Sequence, residues 1–366
     1  MRKTNPNSLY IHIPFCEAIC DYCDFAKLQY FHSFADAYLN ALEKELGDRV
    51  SNKQLKTIYI GGGTPTSLDD EQFERLLKMV EPFSKVVEEY TVEANPESLS
   101  LSKIKLLKKY GVNRVSIGVE STDDQILKMI NRHHTFNDVK TAVALLKENG
   151  IDNFNLDLII GLPNVTEKML LKDIKNILSL KPKHISCYSL TVHEHTVFYL
   201  NGIEEPVESF AYEAYRTINS ILEKEDFVHY EVSNWSIPGY QSKHNLTYWR
   251  NEQYYGIGLA ASGYINDVRY KNTTNFQDYI SGKNNIESEI VSSRDDMEYE
   301  IMLRLRTNEG IDLQDFQTKF DVDLLKTKKS VIAQYISQGY LVMVGNTLKP
   351  TFEGMMILDK IVVDLY

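Results

Sequence analysis

Short runs rich in Val, Ile and Tyr recur through the first two-thirds of this chain, separated by amphipathic stretches, and that alternation limits the fold more than any other feature. The runs predicted as strands are Leu9–Ile13, Thr57–Ile60, Glu89–Glu93, Arg114–Gly118, Asn155–Ile160 and His184–Leu190, bounded by Gly, Pro or Asn. Between them, periodicity predicts helices over Phe34–Ser51, Asp70–Pro82, Ser100–Tyr110, Phe136–Asn149 and Thr166–Leu180. In Ser100–Tyr110 the apolar Leu101, Ile104, Leu107 and Tyr110 share one face, with Ser100 placed to cap the start and Gly111 to stop the end. Repeated strand–helix units require parallel strands joined by right-handed crossovers. The expected class is therefore α/β, as an incomplete (β/α) barrel or an open sheet. In either, ligands meet the strand ends.

The pattern divides the chain into residues 1–206, the strand–helix units; 207–294, a looser aromatic-rich continuation; and 295–366, a small C-terminal unit. The last is predicted as helices over Asp296–Arg306, Leu313–Phe320 and Leu324–Gln338, then short strands at Leu341–Val344 and Thr347–Thr351. Three helices and a hairpin make a mainly helical, winged-helix-like domain. The formal charge of −11 repels phosphate backbones, so nucleic acid is not an expected partner. The basic start, Met1 to Asn7, leads into no signal-type apolar stretch, and no run approaches the roughly 20 apolar residues of a membrane span. The expectation is a cytoplasmic protein, with peripheral membrane contact left open.

Three of the four cysteines lie close together directly after the first strand, as Cys16-x3-Cys20-x2-Cys23. In a reducing compartment such spacing points to metal before disulfide. Thiolates suit iron–sulfur clusters, and three ligands on a four-iron cubane leave one iron open to a second molecule. Structural zinc wants four protein ligands, with His12 the fourth candidate; three plain buried thiols is the bland alternative. Cys187 stands alone in a strand and reads as a small apolar residue.

Several polar residues stand near the strand ends. Gly61-Gly62-Gly63-Thr64-Pro65 exceeds what a sharp turn needs and suggests close backbone approach to a ligand. Glu93 offers a carboxylate to an ammonium or ribose, Glu120 follows the fourth strand, Arg132 offers a fork for a carboxylate, and Asp157 sits on the fifth strand. Each alone is more often a solvated or capping residue.

The cysteine spacing resembles that of radical-SAM proteins, in which the open iron binds S-adenosylmethionine (SAM) and electron transfer to SAM makes a 5′-deoxyadenosyl radical. Longer phrases resemble the anaerobic coproporphyrinogen III oxidase family over nearly the whole chain. They are Tyr10-Ile11-His12-Ile13-Pro14-Phe15-Cys16, Gly61-Gly62-Gly63-Thr64-Pro65-Thr66, Gly111 to Gly118, Asp157-Leu158-Ile159-Ile160-Gly161-Leu162-Pro163 and Tyr230-Glu231-Val232-Ser233-Asn234. The resemblance implies a partial barrel of the radical-SAM type and a [4Fe–4S] cluster on Cys16, Cys20 and Cys23. It also implies a SAM site at Tyr10, Tyr22, Gly62, Gly63, Thr64, Glu93, Arg132 and Asp157, with Glu120 where the family usually has Gln. A negative charge there opposes SAM's carboxylate.

Two branches of that family differ in ways visible here. The oxidase carries a fourth cysteine two residues after the third, where this chain has Phe25, and a long N-terminal arm, where only 15 residues precede Cys16. Both differences resemble the HemW-type heme chaperone branch. So does His244-Asn245-Leu246-Thr247-Tyr248-Trp249, which matches that branch's His-Asn-x-x-Tyr-Trp. An imidazole can ligate heme iron, and Tyr and Trp faces can stack on a macrocycle. On the residues alone, a buried aromatic corner with a satisfied histidine is the favoured reading of the motif. His133, His134, His184, His193 and His195 are weaker candidates. The resemblance thus implies a carrier of heme to an unidentified acceptor, with an electron donor as further partner. The alternatives are the oxidase reaction, which decarboxylates propionates in porphyrin biosynthesis, and radical chemistry on an unrelated substrate.

Overall fold

The computed structural model describes residues 5–283 and 286–366; Met1 to Thr4 of the basic start lie outside them. The six predicted strands form as β1 (Ser8–Ile13), β2 (Thr57–Gly62), β3 (Glu89–Ala94), β4 (Arg114–Glu120), β5 (Phe154–Ile160) and β6 (His184–Ser189). They lie side by side in chain order, each parallel to the next. Helices His32–Arg49, Asp70–Val80, Leu101–Lys109, Phe136–Glu148 and Glu167–Ser179 join them. Ser100 accepts from Lys103 N at 3.3 Å, and Gly111 takes φ +78° just past the following helix end. The helix begun at Asp70 stops at Val80, two residues before Pro82, and a 3-10 turn over Glu81–Phe83 takes over.

The stretch after Val207 is more regular than its composition suggests. It holds a helix, Glu208–Glu223, then β7 (Val228–Glu231), β8 (Asn234–Ser236), a helix at Lys243–Trp249, β9 (Tyr254–Ile257), β10 (Ser262–Ile265), β11 (Val268–Lys271) and β12 (Glu287–Ile290). These strands lengthen both edges of the same sheet, giving the order β12-β11-β10-β9-β1-β2-β3-β4-β5-β6-β8-β7. β9 runs parallel to β1, whereas the outer strands are antiparallel. The architecture is a mixed α/β sheet whose two ends, β12 and β7, do not pair with each other.

The C-terminal unit has its own core, including Ile301, Leu305, Phe316, Ile332, Leu348 and Ile361. Its sheet is β13 (Ile311–Asp312), β15 (Thr347–Pro350) and β14 (Leu341–Val344), in that order. The long predicted third helix divides into Leu324–Thr327 and Lys329–Ser337, because Lys328 leaves the helical region at φ −113°, ψ 24°. Main-chain bonds from Val232 N to Arg306 O and from Asn308 N to Tyr230 O dock this unit beside β7. Among the described residues, no helix is long and apolar enough to cross a membrane.

Candidate cofactor cavity

The loop carrying the three cysteines is anchored at both ends by its own backbone. Phe15 and Cys16 pair in parallel with Leu28 and Gln29, Leu28 N donates to Pro14 O at 2.6 Å, and Tyr30 N donates to Cys16 O at 2.8 Å. From the neighbouring strand, Gly63 N donates to Ile13 O at 2.8 Å and Thr64 N to Phe15 O at 2.7 Å. His12 Nε2 lies 2.7 Å from Ala26 O. A carbonyl only accepts, so Nε2 carries the proton and Nδ1 accepts from the Tyr10 hydroxyl at 2.9 Å. Burial lowers the pKa of His12, in keeping with a neutral ring. The histidine weighed as a zinc ligand is thus engaged on both nitrogens, one of them tying down the cysteine loop.

The glycine run has a packing reason of its own. A Cβ at Gly61 would stand 2.5–2.7 Å from the Glu93 carboxyl, and one at Gly63 2.8–2.9 Å from backbone atoms of Ile13, Pro14 and Phe15. Gly62 takes φ +114° against the His12 ring. All three glycines are therefore accounted for by chain-on-chain approach, a reason the sequence reading did not supply. Gly62 and Gly63 still form part of the cavity wall described next.

A cavity of about 510 Å³ opens where the cysteine loop overhangs the sheet. Cys16, Cys20, Cys23, Tyr22, Gly62, Gly63, Thr64, Glu93, Glu120, Arg132 and Asp157 all line it. Strand alternation explains the convergence. Arg114, Ser116 and Gly118 on β4, Asn155, Asp157 and Ile159 on β5, and His184, Ser186 and Tyr188 on β6 turn the same way into the cavity. Register sets Glu93 beside Ser116, Ser116 beside Asn155, and Asp157 between Gly118 and Ser186. The intervening Val115, Ile117, Leu156, Leu158, Ile185 and Cys187 point away, into the main core.

Charge inside is dense. Glu93 accepts from Tyr59 Oη at 2.6 Å and from Gly62 N at 2.9 Å. Asp157 accepts from Asn155 Nδ2 at 2.6 Å. Burial raises the pKa of both carboxyls. Arg132 donates to Gly118 O and, at 3.5 Å, to Cys20 Sγ, and its Nη2 is 3.8 Å from Glu120 Oε1. Burial pulls Arg132 down, but Tyr22, Cys20 and Glu120 more than restore it, so it stays charged. Burial lifts Glu120 to about 7, with Arg132 opposing and Asp157 adding; Tyr188 donates to it at 2.8 Å. Among the described residues, the buried Nε atoms of Arg114 and Arg132 have no hydrogen-bond partner, which leaves donor capacity inside the cavity.

All four cysteines are free thiols. Burial lifts Cys16 to about 11, and Thr64 Oγ1 donates to its sulfur at 3.7 Å. Cys187 is fully buried in the main core, away from the loop. Tyr59, Arg114, Asn155, His184 and Tyr188 line the cavity too, although the sequence reading did not assign them there; their signal was polarity at alternate strand positions.

The remaining candidates are more scattered. Tyr10 and Tyr248 line a second cavity, of about 760 Å³, which adjoins the first through Ile19, Asp24, Phe25 and Lys27. His244 is fully enclosed, with Nδ1 2.8 Å from Thr57 Oγ1 and Nε2 2.7 Å from Tyr248 Oη. Trp249 is half-buried, and its Nε1 has no hydrogen-bond partner among the described residues. His133 and His195 are exposed, and His193, also exposed, lies on the rim of the first cavity, 3.3 Å from Asp24. His134 is buried against Val119 O at 3.2 Å, and His184 is held by Asn155 at 2.6 Å and Tyr230 at 2.8 Å.

Residues 10–177 match the Radical SAM superfamily model, and residues 291–357 match the HemN C-terminal domain. The solved coproporphyrinogen III oxidase (HemN) of Escherichia coli shares the fold, with a TM-score of 0.84 at 22% identity over 99% of this chain and 90% of that one. Fold and cavity therefore define a radical-SAM protein with a HemN-type C-terminal domain. The heme chaperone HemW of Lactococcus lactis is 42% identical over 92% of this chain and 91% of its own length; that of Bacillus subtilis is 39% identical over 97% of each. The chain belongs to the HemW family.

Proposed function

We propose that this protein is a heme carrier that holds a [4Fe–4S] cluster and SAM in the first cavity and passes heme to an acceptor protein. The observation that carries the reading is one convergence: three free thiols on a pinned loop, two guanidinium groups and four carboxylates all line a single cavity in a chain of this family. The donor set fits the group. Cys16, Cys20 and Cys23 would hold the cluster, leaving one iron for SAM. Arg132 would take SAM's carboxylate, Glu93 its ammonium, and Asp157 and Glu120 the polar remainder, while Tyr22 and Gly62 to Thr64 close the walls. When bound, cluster and SAM supply one-electron chemistry. The protein's own contribution is to orient SAM and to keep charge balanced in a confined space.

The experiment is anaerobic reconstitution of the full chain with iron and sulfide, then heme titration and a turnover assay on the same sample. The carrier reading expects one cubane per chain, stoichiometric heme uptake and heme transfer to an apo-acceptor. It expects no carbon dioxide from coproporphyrinogen III with SAM and a reductant. Clean turnover without heme uptake would make the chain an oxidase and overturn the reading.

A further inference from the structure

We propose that Arg114 makes a second anion site in the first cavity, deeper than the cysteine loop, where it binds the carboxylate of a small organic acid beside SAM. The inference goes beyond the carrier reading but rests on its placement of SAM.

Arg114 opens β4, is 2% exposed and lines the cavity. Its Nε is buried without a partner, and among the described residues its guanidinium forms no hydrogen bond and no ion pair. A cation so buried is normally paired. Its charge bears on Tyr59, Glu93, Asp157 and His184, yet each of these is committed elsewhere. The Tyr59 hydroxyl and Gly62 N serve Glu93. The Asn155 amide serves Ser116 at 2.8 Å and Asp157 at 2.6 Å, and the His184 ring is taken by Asn155 and Tyr230. The wall closes its own network and leaves out one fixed positive charge. Ser116, next on the same face of β4, accepts from Asn155 and keeps its own hydroxyl hydrogen to donate.

Position separates this group from Arg132. The Arg132 guanidinium sits against Gly118 O and Cys20 Sγ at the cysteine loop. Arg114 springs from the same strand about 13 Å further back. SAM has one carboxylate, which the carrier reading gives to Arg132, so SAM offers none to Arg114. A planar fork of N–H donors matches a carboxylate or a phosphate. The neighbouring carboxyls decide between them. Glu120 lies by Arg132 at 3.8 Å and Asp24 by His193 at 3.3 Å, but Glu93 and Asp157 face the same interior as Arg114. Beside them one negative charge is tolerable, whereas a phosphate monoester carries about −1.5 to −2. Burial favours the neutral forms of Glu93 and Asp157, so the guanidinium's field is less opposed.

The test is saturation-transfer NMR titration of butyrate into the full chain, reconstituted anaerobically and saturated with SAM. Wild type should bind butyrate with SAM still in place. Butyramide, the neutral isostere, and methyl phosphate should bind at least tenfold more weakly. Arg114→Gln should lose at least tenfold in butyrate affinity, and Arg114→Lys should fall between, because an ammonium keeps the charge without the fork. SAM binding, read by calorimetry on the same samples, should persist in both variants. Near-UV circular dichroism and iron content identify a variant that fails to fold, and the isostere comparison on wild type then carries the test. Butyrate expelled by SAM, butyrate held undiminished by Arg114→Gln, or SAM lost together with butyrate overturns the proposal and leaves the placement of SAM standing. So does butyramide or methyl phosphate binding as well as butyrate, or wild type binding no butyrate. Wild type that takes up no SAM overturns that placement, and with it a second site beside SAM.

Discussion

Glu120→Gln is the substitution whose effect follows most directly from the cavity's electrostatics. β4 shifts register between Gly118 and Glu120, and Glu120 sits at φ +67° with its side chain 5% exposed. Its carboxyl rises from 4.5 to about 7, chiefly through burial. The folded state therefore binds the proton more tightly than the unfolded chain does. Its contribution to stability is fully present below pH 4.5 and is lost progressively as the pH rises to about 7, after which the deficit is constant. The integrated loss is about 3 kcal/mol. Glutamine keeps an oxygen for the Tyr188 hydroxyl and carries no charge. Urea unfolding of the reduced, iron-free chain should find variant and wild type within about 1 kcal/mol at low pH. By pH 8.5 the variant should have gained up to about 3 kcal/mol on wild type. A stability difference that stays flat across this range would refute the reasoning. Burial thus favours the neutral form of Glu120, which under the proposed function would soften the clash with SAM's carboxylate that the charge alone suggests.

Gly63→Ala puts a methyl 2.8–2.9 Å from the backbone of Ile13 to Phe15. It should cost about 1–3 kcal/mol in urea unfolding and lower iron uptake on reconstitution; full iron loading with unchanged stability would show that the cysteine loop tolerates displacement. Arg132→Lys cannot reproduce simultaneous contacts to Cys20, Gly118 and Glu120. Calorimetry on the reconstituted protein should find SAM binding weakened by about tenfold or more, and an unchanged affinity would remove Arg132 from the site. Cys187→Ser buries a hydroxyl in the apolar core and should cost about 1–3 kcal/mol with iron content intact. Cys16→Ser should lose the cluster, and equal iron loss in both variants would contradict the assignment.

The six parallel strands were legible because each is several residues long, β-branched and closed by a breaker. The later strands of the large sheet are four residues or fewer and sit at its two edges, where β9 beside β1 and β8 beside β6 join elements distant in sequence. Local pattern cannot reveal that β9 returns to lie beside β1. The final helix was overlooked for a different reason. Leu358, Ile361, Val362 and Leu365 hold a clear helical period and are all buried, yet the stretch is only eight residues, Leu358–Leu365. Its stability comes from tertiary packing on the C-terminal core, not from propensity.

The cysteines were legible from spacing, but the wall facing them was only partly so. Parallel strands in α/β proteins are expected to be apolar on both faces, so the polar residues on β4, β5 and β6 look like isolated exceptions until the register aligns them. Arg114, Asn155 and His184 are each at most 2% exposed, and such burial is sustainable only with partners. Asn155 bridges Ser116, Asp157 and His184, while Arg114 keeps an unpartnered Nε. Glu120 departs from more local rules at once: a non-glycine residue in the left-handed region, at a register shift, with a buried carboxyl. Such backbone costs of order 1–3 kcal/mol and persists where surroundings over-determine it. Arg132 and Tyr188 supply that constraint from two other elements. The position is therefore unfavourable by local preference and held by the cavity, which is why sequence alone could mark Glu120 as unusual but could not say which groups restrain it.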